Sequence, residues 1–142
     1  MALQLQIIHL SGVFADKNIF QIDVPTTAGP IAINEGHVAL VGDIKPGIVT
    51  ITNKKGDSSS HLENLAVYEG TVEVLNNVVT ILVDDVDTPD EISEAEAQKA
   101  FDRAKDLTSK AGKGVELAEA HSMMDRSAVR LQLASLKRRR KS

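Results

Sequence analysis

A chain of 142 residues, 42% hydrophobic and 25% charged, is long enough for one medium domain or a small domain with an appendage, and is balanced as soluble globular chains are. The absence of cysteine excludes disulfides, thiolate catalysis and cysteine-based zinc sites, and one Tyr, three Phe and no Trp leave few platforms for stacking nucleic-acid bases. Net charge of −4 hides a reversal: residues 1–83 carry eight acids and four bases, 84–125 twelve and five, and 126–142 seven bases and no acid.

The opening MALQLQIIHLSG lacks the basic and apolar regions of a secretory signal, and no apolar run approaches the roughly 20 residues of a membrane span, so membrane association is expected only through partners. Residues 3–7, LQLQI, alternate apolar and polar as a half-buried strand does. Further strands are predicted at 19–24, 48–52, 65–68, 71–75 and 78–83, bounded by the turn formers Pro46-Gly47, Lys55-Gly56-Asp57, Glu69-Gly70 and Asn76-Asn77. Seven or more short strands with local turns and no long helix among them point to an antiparallel sandwich or flattened barrel. Within that region GPIAINEGHVALVGDIKPG, residues 29–47, sets four glycines and two prolines around His37.

From Val86 the period changes to that of a helix, and the acidic joint DDVDTPDE places a domain boundary between residues 1–86 and 87–142. Thr88 with Pro89 and Glu91, and Ser93 with Glu96, each mark a helix start, which is expected between 89 and 94. Ala97, Ala100, Phe101, Ala104, Leu107 and Ala111 form a stripe that ends at Gly112-Lys113-Gly114; Leu117, Ala120, Met124, Ala128, Leu131 and Ala134 form a second. The expected element is a helical hairpin. Its alanine seam gains less from burial than the ~1.5–3 kcal/mol of a buried Leu, so the hairpin reads as a weakly held, movable arm. The basic end 126–142 fits three readings: packing on the acidic stretch, an arm for an acidic partner, or a solvated helix end favoured by the macrodipole.

A search for catalytic constellations returns none. In GHVALVGD, residues 36–43, Asp43 stands where a phosphate-cradling loop needs Lys, and an acid repels phosphate. The histidines at 9, 37, 61 and 121 lack metal-ligand spacing, and no nucleophile elbow surrounds Ser58–Ser60. Asp84-Asp85 reads as a solubilising joint, and His37 as a structural or interface residue rather than a general base. A stand-alone enzyme is therefore disfavoured. KRRRK at 137–141 keeps a nucleic-acid-binding module open as an alternative, against which stand the overall acidity and the missing aromatic platforms.

The stretch around His37 resembles the epsilon-subunit family of the rotary, proton-translocating F-type ATP synthase. That family's first domain carries G-x-x-G-I-x-P-G-H-x-P-L followed by I-K-P-G, matched here by Gly29, Ile33, Gly36, His37, Leu40, Ile44, Lys45, Pro46 and Gly47. LQLQIIHLSGVF, YEGTVEVLNNVVTILVDD and the hairpin order agree too, so the similarity spans nearly the whole chain. The resemblance implies an all-β N-terminal domain, a flattened antiparallel β-sandwich of about ten strands, followed by an α-helical hairpin. It implies a non-catalytic rotor subunit of the central stalk, coupling gamma to the c-ring for proton-driven ATP synthesis, with a movable arm that reaches the catalytic beta and alpha subunits and inhibits hydrolysis.

By the same resemblance a loop of Gly29, Pro30, Ile31, Ala32 and Ile33 faces the c-ring, and the corner of Gly36, His37 and Leu40 meets gamma. Ala32, Asn34, Glu35 and Ala39 depart from the family pattern at that corner. Arg126, Arg130, Lys137, Arg138, Arg139 and Arg140 form the regulatory arm's basic set. Some members bind ATP through I-D-x-x-R-A on the first helix, where this chain reads Ile92-Ser93-Glu94-Ala95-Glu96-Ala97; the second helix keeps Arg126, Arg130 and Leu131. A carboxylate in place of a cation repels phosphate, so docking to an acidic protein surface is favoured over ATP binding, and no cofactor, metal or nucleic acid is expected. The implied location is peripheral, on the cytoplasmic face of a bacterial inner membrane, with an organelle interior left open.

Overall fold

The computed structural model describes residues 3–111 and 114–141, without the side chains of residues 115 and 138–141. Gly112 and Lys113 of the expected turn, and the side chains of Arg138, Arg139 and Arg140, therefore lie outside the described residues. The chain divides into two compact units, Met1–Val86 and Asp87–Ser142.

The first unit is built from β1 (Leu3–His9), β2 (Gly12–Ile19), β3 (Gln21–Thr26), β4 (Gly29–Asn34), β5 (Leu40–Ile44), β6 (Gly47–Thr52), β7 (Glu63–Val67), β8 (Gly70–Leu75) and β9 (Val78–Val83), and ends at Val86, the first residue of the short β10 (Val86–Asp87), whose Asp87 begins the second unit. Alternation decides which face is buried: Leu3, Leu5 and Ile7 of β1 point into the core while Gln4 and Gln6 do not. The hydrogen-bonded order is β10-β7-β6-β3-β5-β8-β9-β1-β2, with β4 attached to β3 alone. Lys17 on β2, the last strand of this path, forms an ion pair with Glu63 on β7, the strand next to its other end, so the sheet closes over one aliphatic core. The expected ten-stranded flattened sandwich is thus present. From β1 to β9 the described pairs are antiparallel except β1 with β9, which run parallel.

Three local expectations need correction. The strand expected at 19–24 is the end of β2 and most of β3, because Phe20 interrupts the ladder and its amide donates instead to the Thr52 carbonyl at 2.9 Å. Residues 29–33 are strand β4 and not a loop, since Gly29 to Asn34 pair in register with Thr26 back to Gln21. The strand expected at 65–68 is β7, with Tyr68 buried just past its end. Asn76 and Asn77, by contrast, turn as read: both hold positive φ, 49° and 62°, in a two-residue turn closed by the Leu75–Val78 pair.

In the second unit both start signals are used in succession. Pro89–Glu91 makes a single 3₁₀ turn, with the Glu91 amide donating to the Thr88 carbonyl at 3.1 Å, and Ser93 then caps α1 (Glu94–Lys110) by accepting from the Glu96 amide at 3.4 Å. The second helix, α2 (Val115–Lys141), packs alongside α1. Ala97 and Ala104 are buried as expected, but Leu107 is largely exposed. On α2 Ala120 and Ala134 are buried, whereas Ala128 is exposed and Ser127, Val129 and Leu133 are buried. At about 100° per residue Val129 lies opposite Ala120, so α2 is covered on two sides, which one stripe cannot represent.

Candidate functional site

The β3–β4 hairpin turns on Thr27 and Ala28, and its strands place Pro25 opposite Pro30. Neither proline has an N–H, so neither can donate across this pair. Each strand's next bonds must point elsewhere: the Pro25 carbonyl accepts from the Lys45 amide at 3.2 Å, and the Thr27 amide donates to the Asp43 carbonyl at 3.0 Å, which ties the hairpin tip to the end of β5. Among the described strands β4 pairs with β3 alone, so its outer backbone edge is open, blunted by Pro30. Of the five residues expected here, Pro30 and Ala32 are exposed, Gly29 and Ile31 half-buried, and Ile33 is fully in the core.

At the other end of β4 the chain turns through Gly36, whose φ of 81° suits glycine. The Gly36 amide donates to Asn77 Oδ1 at 2.7 Å, and the Asn77 carbonyl accepts from the Gln4 amide at 2.9 Å. Asn77 therefore joins the corner to the β8–β9 turn and to the start of β1, a role its sequence neighbours gave no sign of beyond the Asn-Asn turn itself. The His37 amide donates to the Asn34 carbonyl at 3.2 Å, and its Nδ1 lies 2.8 Å from the Val38 carbonyl. A carbonyl only accepts, so Nδ1 donates to the neighbouring backbone, which fixes the ring's orientation and leaves Nε2 as its acceptor. Leu40 packs against the core. The tip and the Gly36–His37 corner stand at opposite ends of a six-residue strand, roughly 17 Å apart at about 3.3 Å per residue, so the expected set forms two sites rather than one.

A further surface was not read from the sequence. On the outward face of β5, β8, β9, β1 and β2, the register sets Leu82 beside Ile8 and Ile8 beside Val13. An irregularity between Ile7 and Ile8 leaves Phe14 as the extra residue on β2, where its ring meets His9 edge-on at 6.0 Å. Leu10 is 89% exposed and Val13 67%, with Phe14 and Leu82 also open to solvent. Val41, opposite Glu73 in the register, and Leu75, two residues on from Glu73, are exposed on the same face as a second pad, and Val38, 75% exposed like Val41, lies on the corner beside His37. Between the pads runs a polar row, Glu73–Thr80–Gln6. Grouped exposed aliphatics of this kind mark protein contact surfaces. The available signal was four apolar residues in IHLSGVF, where a solvated hairpin loop would be polar.

Of the described basic residues, Arg130 meets an acid of the joint, as the reading that packs the basic end on the acidic stretch has it. Arg130 Nε donates to Asp87 Oδ2 at 3.2 Å. Arg126 and Lys137 are half-buried. The cleft beside Arg130 is lined by the carboxylates of Asp87, Glu91 and Glu96. Acidic residues in this number beside one paired guanidinium oppose a polyphosphate by charge. Ser58 Oγ and His61 Nδ1 lie 2.8 Å apart, but on an exposed 3₁₀ turn with no buried residue, which is a turn closing on itself and not a cleft. Among the described residues no three His, Cys, Asp or Glu side chains group as metal ligands.

Residues 2–89 match the family model of the ATP synthase delta/epsilon chain β-sandwich domain, and residues 90–135 match that of the delta/epsilon long α-helix domain. The ATP synthase epsilon chain of Herpetosiphon aurantiacus is 32% identical over 140 residues, covering 99% of both chains. The mitochondrial ATP synthase subunit delta of Caenorhabditis elegans is 31% identical over 115 residues, 80% of this chain and 66% of that one. Among solved structures, a chain of the Euglena gracilis mitochondrial ATP synthase assembly of OSCP, F1 and c-ring shares the fold, with a TM-score of 0.81 over 95% of this chain and 81% of that one at 17% identity.

Proposed function

The chain belongs to the ATP synthase delta/epsilon chain family, and from that membership we propose that it works in the central stalk, joining gamma to the c-ring, with its helical hairpin as an arm that restrains ATP hydrolysis. As an epsilon-type subunit it is not itself catalytic, and its task is to hold two partners against torque. The observation that carries this reading is the outward sheet face with its two apolar pads, too exposed to be core and too grouped to be incidental.

The pad of Val38, Val41 and Leu75 adjoins the Gly36–His37 corner, and this is the surface assigned to gamma; Leu10, Val13, Phe14 and Leu82 extend it across the same face. The open edge of β4, where Pro30 and Ala32 are exposed, is assigned to the c-ring. Because Ile33 is buried, it supports that edge from within and makes no contact of its own. No described helix is long and apolar enough to cross a membrane. The placement proposed is peripheral, on the cytoplasmic face of a bacterial inner membrane, and the 31% identity to a mitochondrial subunit supports the corresponding organelle face as the second reading.

The test is binding to a reconstituted catalytic hexamer with gamma. Leu10→Asp with Val13→Asp is expected to weaken binding at least about tenfold, as truncation of a central contact does, with circular dichroism unchanged because both side chains are exposed. A doubly charged variant that binds as tightly as the parent would remove gamma from this face.

A further inference from the structure

Asp87 and Arg130 stand 43 positions apart, and their bond closes the second unit on itself. Arg130 Nε donates to Asp87 Oδ2 at 3.2 Å, with 38% of the arginine side chain and 18% of the aspartate side chain exposed. Asp87 precedes α1 and Arg130 lies in the second half of α2, so any motion that carries α2 away from the start of α1 has to break this bond. The fully buried residues of the seam are small, Ala97, Ala104, Ala120, Ser127 and Ala134, with Phe101, Leu117, Met124 and Leu131 of the two stripes half-buried. The small groups contribute little apolar area each, while Val129 and Leu133 are buried on the other side of α2 from Ala120. Near the start of α1 the hairpin therefore has a charge pair beside its small-residue packing, and Glu91 and Glu96 line the same cleft, where their charge opposes any phosphate.

We propose that the Asp87–Arg130 ion pair is an electrostatic latch on the helical hairpin, so that closure in this chain follows ionic strength and is independent of nucleotide. The latch stands on this geometry alone; its consequence for hydrolysis rests on the arm reading given above. A pair with this exposure is weakened by salt, since mobile ions screen partly solvated charges within about 10 Å at 0.1 M.

The chain has no cysteine, so nitroxide labels on Lys99→Cys and Gln132→Cys, both exposed in the parent, report the separation of α1 from α2 in the full chain by pulsed electron paramagnetic resonance. Arg130→Gln is expected to raise the open fraction roughly threefold to fivefold, in keeping with a partly exposed pair, and Arg130→Glu by more. The parent is expected to open as salt is raised and Arg130→Gln to be indifferent to it. Mg-ATP is expected to leave the parent distances unchanged. Equal distance distributions for parent and Arg130→Gln, a parent that does not open as salt is raised, or closure driven by ATP would each overturn the latch. Distances that move as expected while hydrolysis by the reconstituted complex stays constant would leave the latch standing and remove the arm.

Discussion

Gly70 shows how much a single position depends on its neighbour. A Cβ added there would lie 2.0 Å from the Leu82 carbonyl oxygen and 2.9 Å from the Val83 Cα, and Val83 is its own ladder partner, so the obstacle is backbone that the sheet holds fixed. Gly70→Ala is expected to lower stability by about 3 kcal/mol, at the upper end of the overpacking range, read as a shift of the urea midpoint; an unchanged midpoint would mean that β8 and β9 separate more easily than their pairing implies. The sequence marks Gly70 only as a turn former beside Glu69. Its steric role needs β9, which lies at the same place only after folding. His37 is the opposite case, since the lack of any ligand or nucleophile pattern near it could be read from the sequence directly, while the structure adds only that Nδ1 is bonded to the Val38 carbonyl. Asn77 could not be found from the chain alone, because its partner Gly36 is 41 residues away.

At the scale of elements, strands with clean alternation were legible and those with none were not. β1, β6 and β8 announce themselves because their buried face is aliphatic and the other largely polar, and β9 because it is a short β-branched run, whereas β4 and β5 hide among glycine and proline, and β2 is an edge strand with most of its residues exposed. The helix starts were legible because capping is a local bond: the Ser93 hydroxyl reaches an amide only three residues on. The buried face of α2 was not, because an alanine-rich helix offers little contrast between its sides. Leu133 is fully buried where the expected stripe passed it by, so Leu133→Ala should cost about 2–5 kcal/mol, and Ala128→Ser, on the exposed side, should cost well under that. The loss of helical ellipticity on heating measures both, and equal costs would return the stripe to its expected face.

For the whole molecule, each unit is compact by itself, and the first has a core drawn only from its own strands and β10. A chain cut after Asp87 keeps all ten strands, and it is expected to fold and to bind gamma while the reconstituted complex hydrolyses ATP faster than with the full chain. Equal rates with the full and the cut chain would reject an inhibitory arm. What the sequence determined by itself was whatever depends on neighbours in the chain: the change of period near Val86, the turn residues, the caps, the small-residue seam, the absence of cysteine and of catalytic spacing. The match to a family pattern around His37 belongs with these, since it too is a string of near positions. Only tertiary structure could decide that β1 runs parallel to β9, that Ile33 is core while Pro30 faces out, that Leu10, Val13 and Leu82 share a surface, and that Arg130 meets Asp87. Each of these is set by which distant segment a residue packs against, and that choice is made by the closure of the whole core.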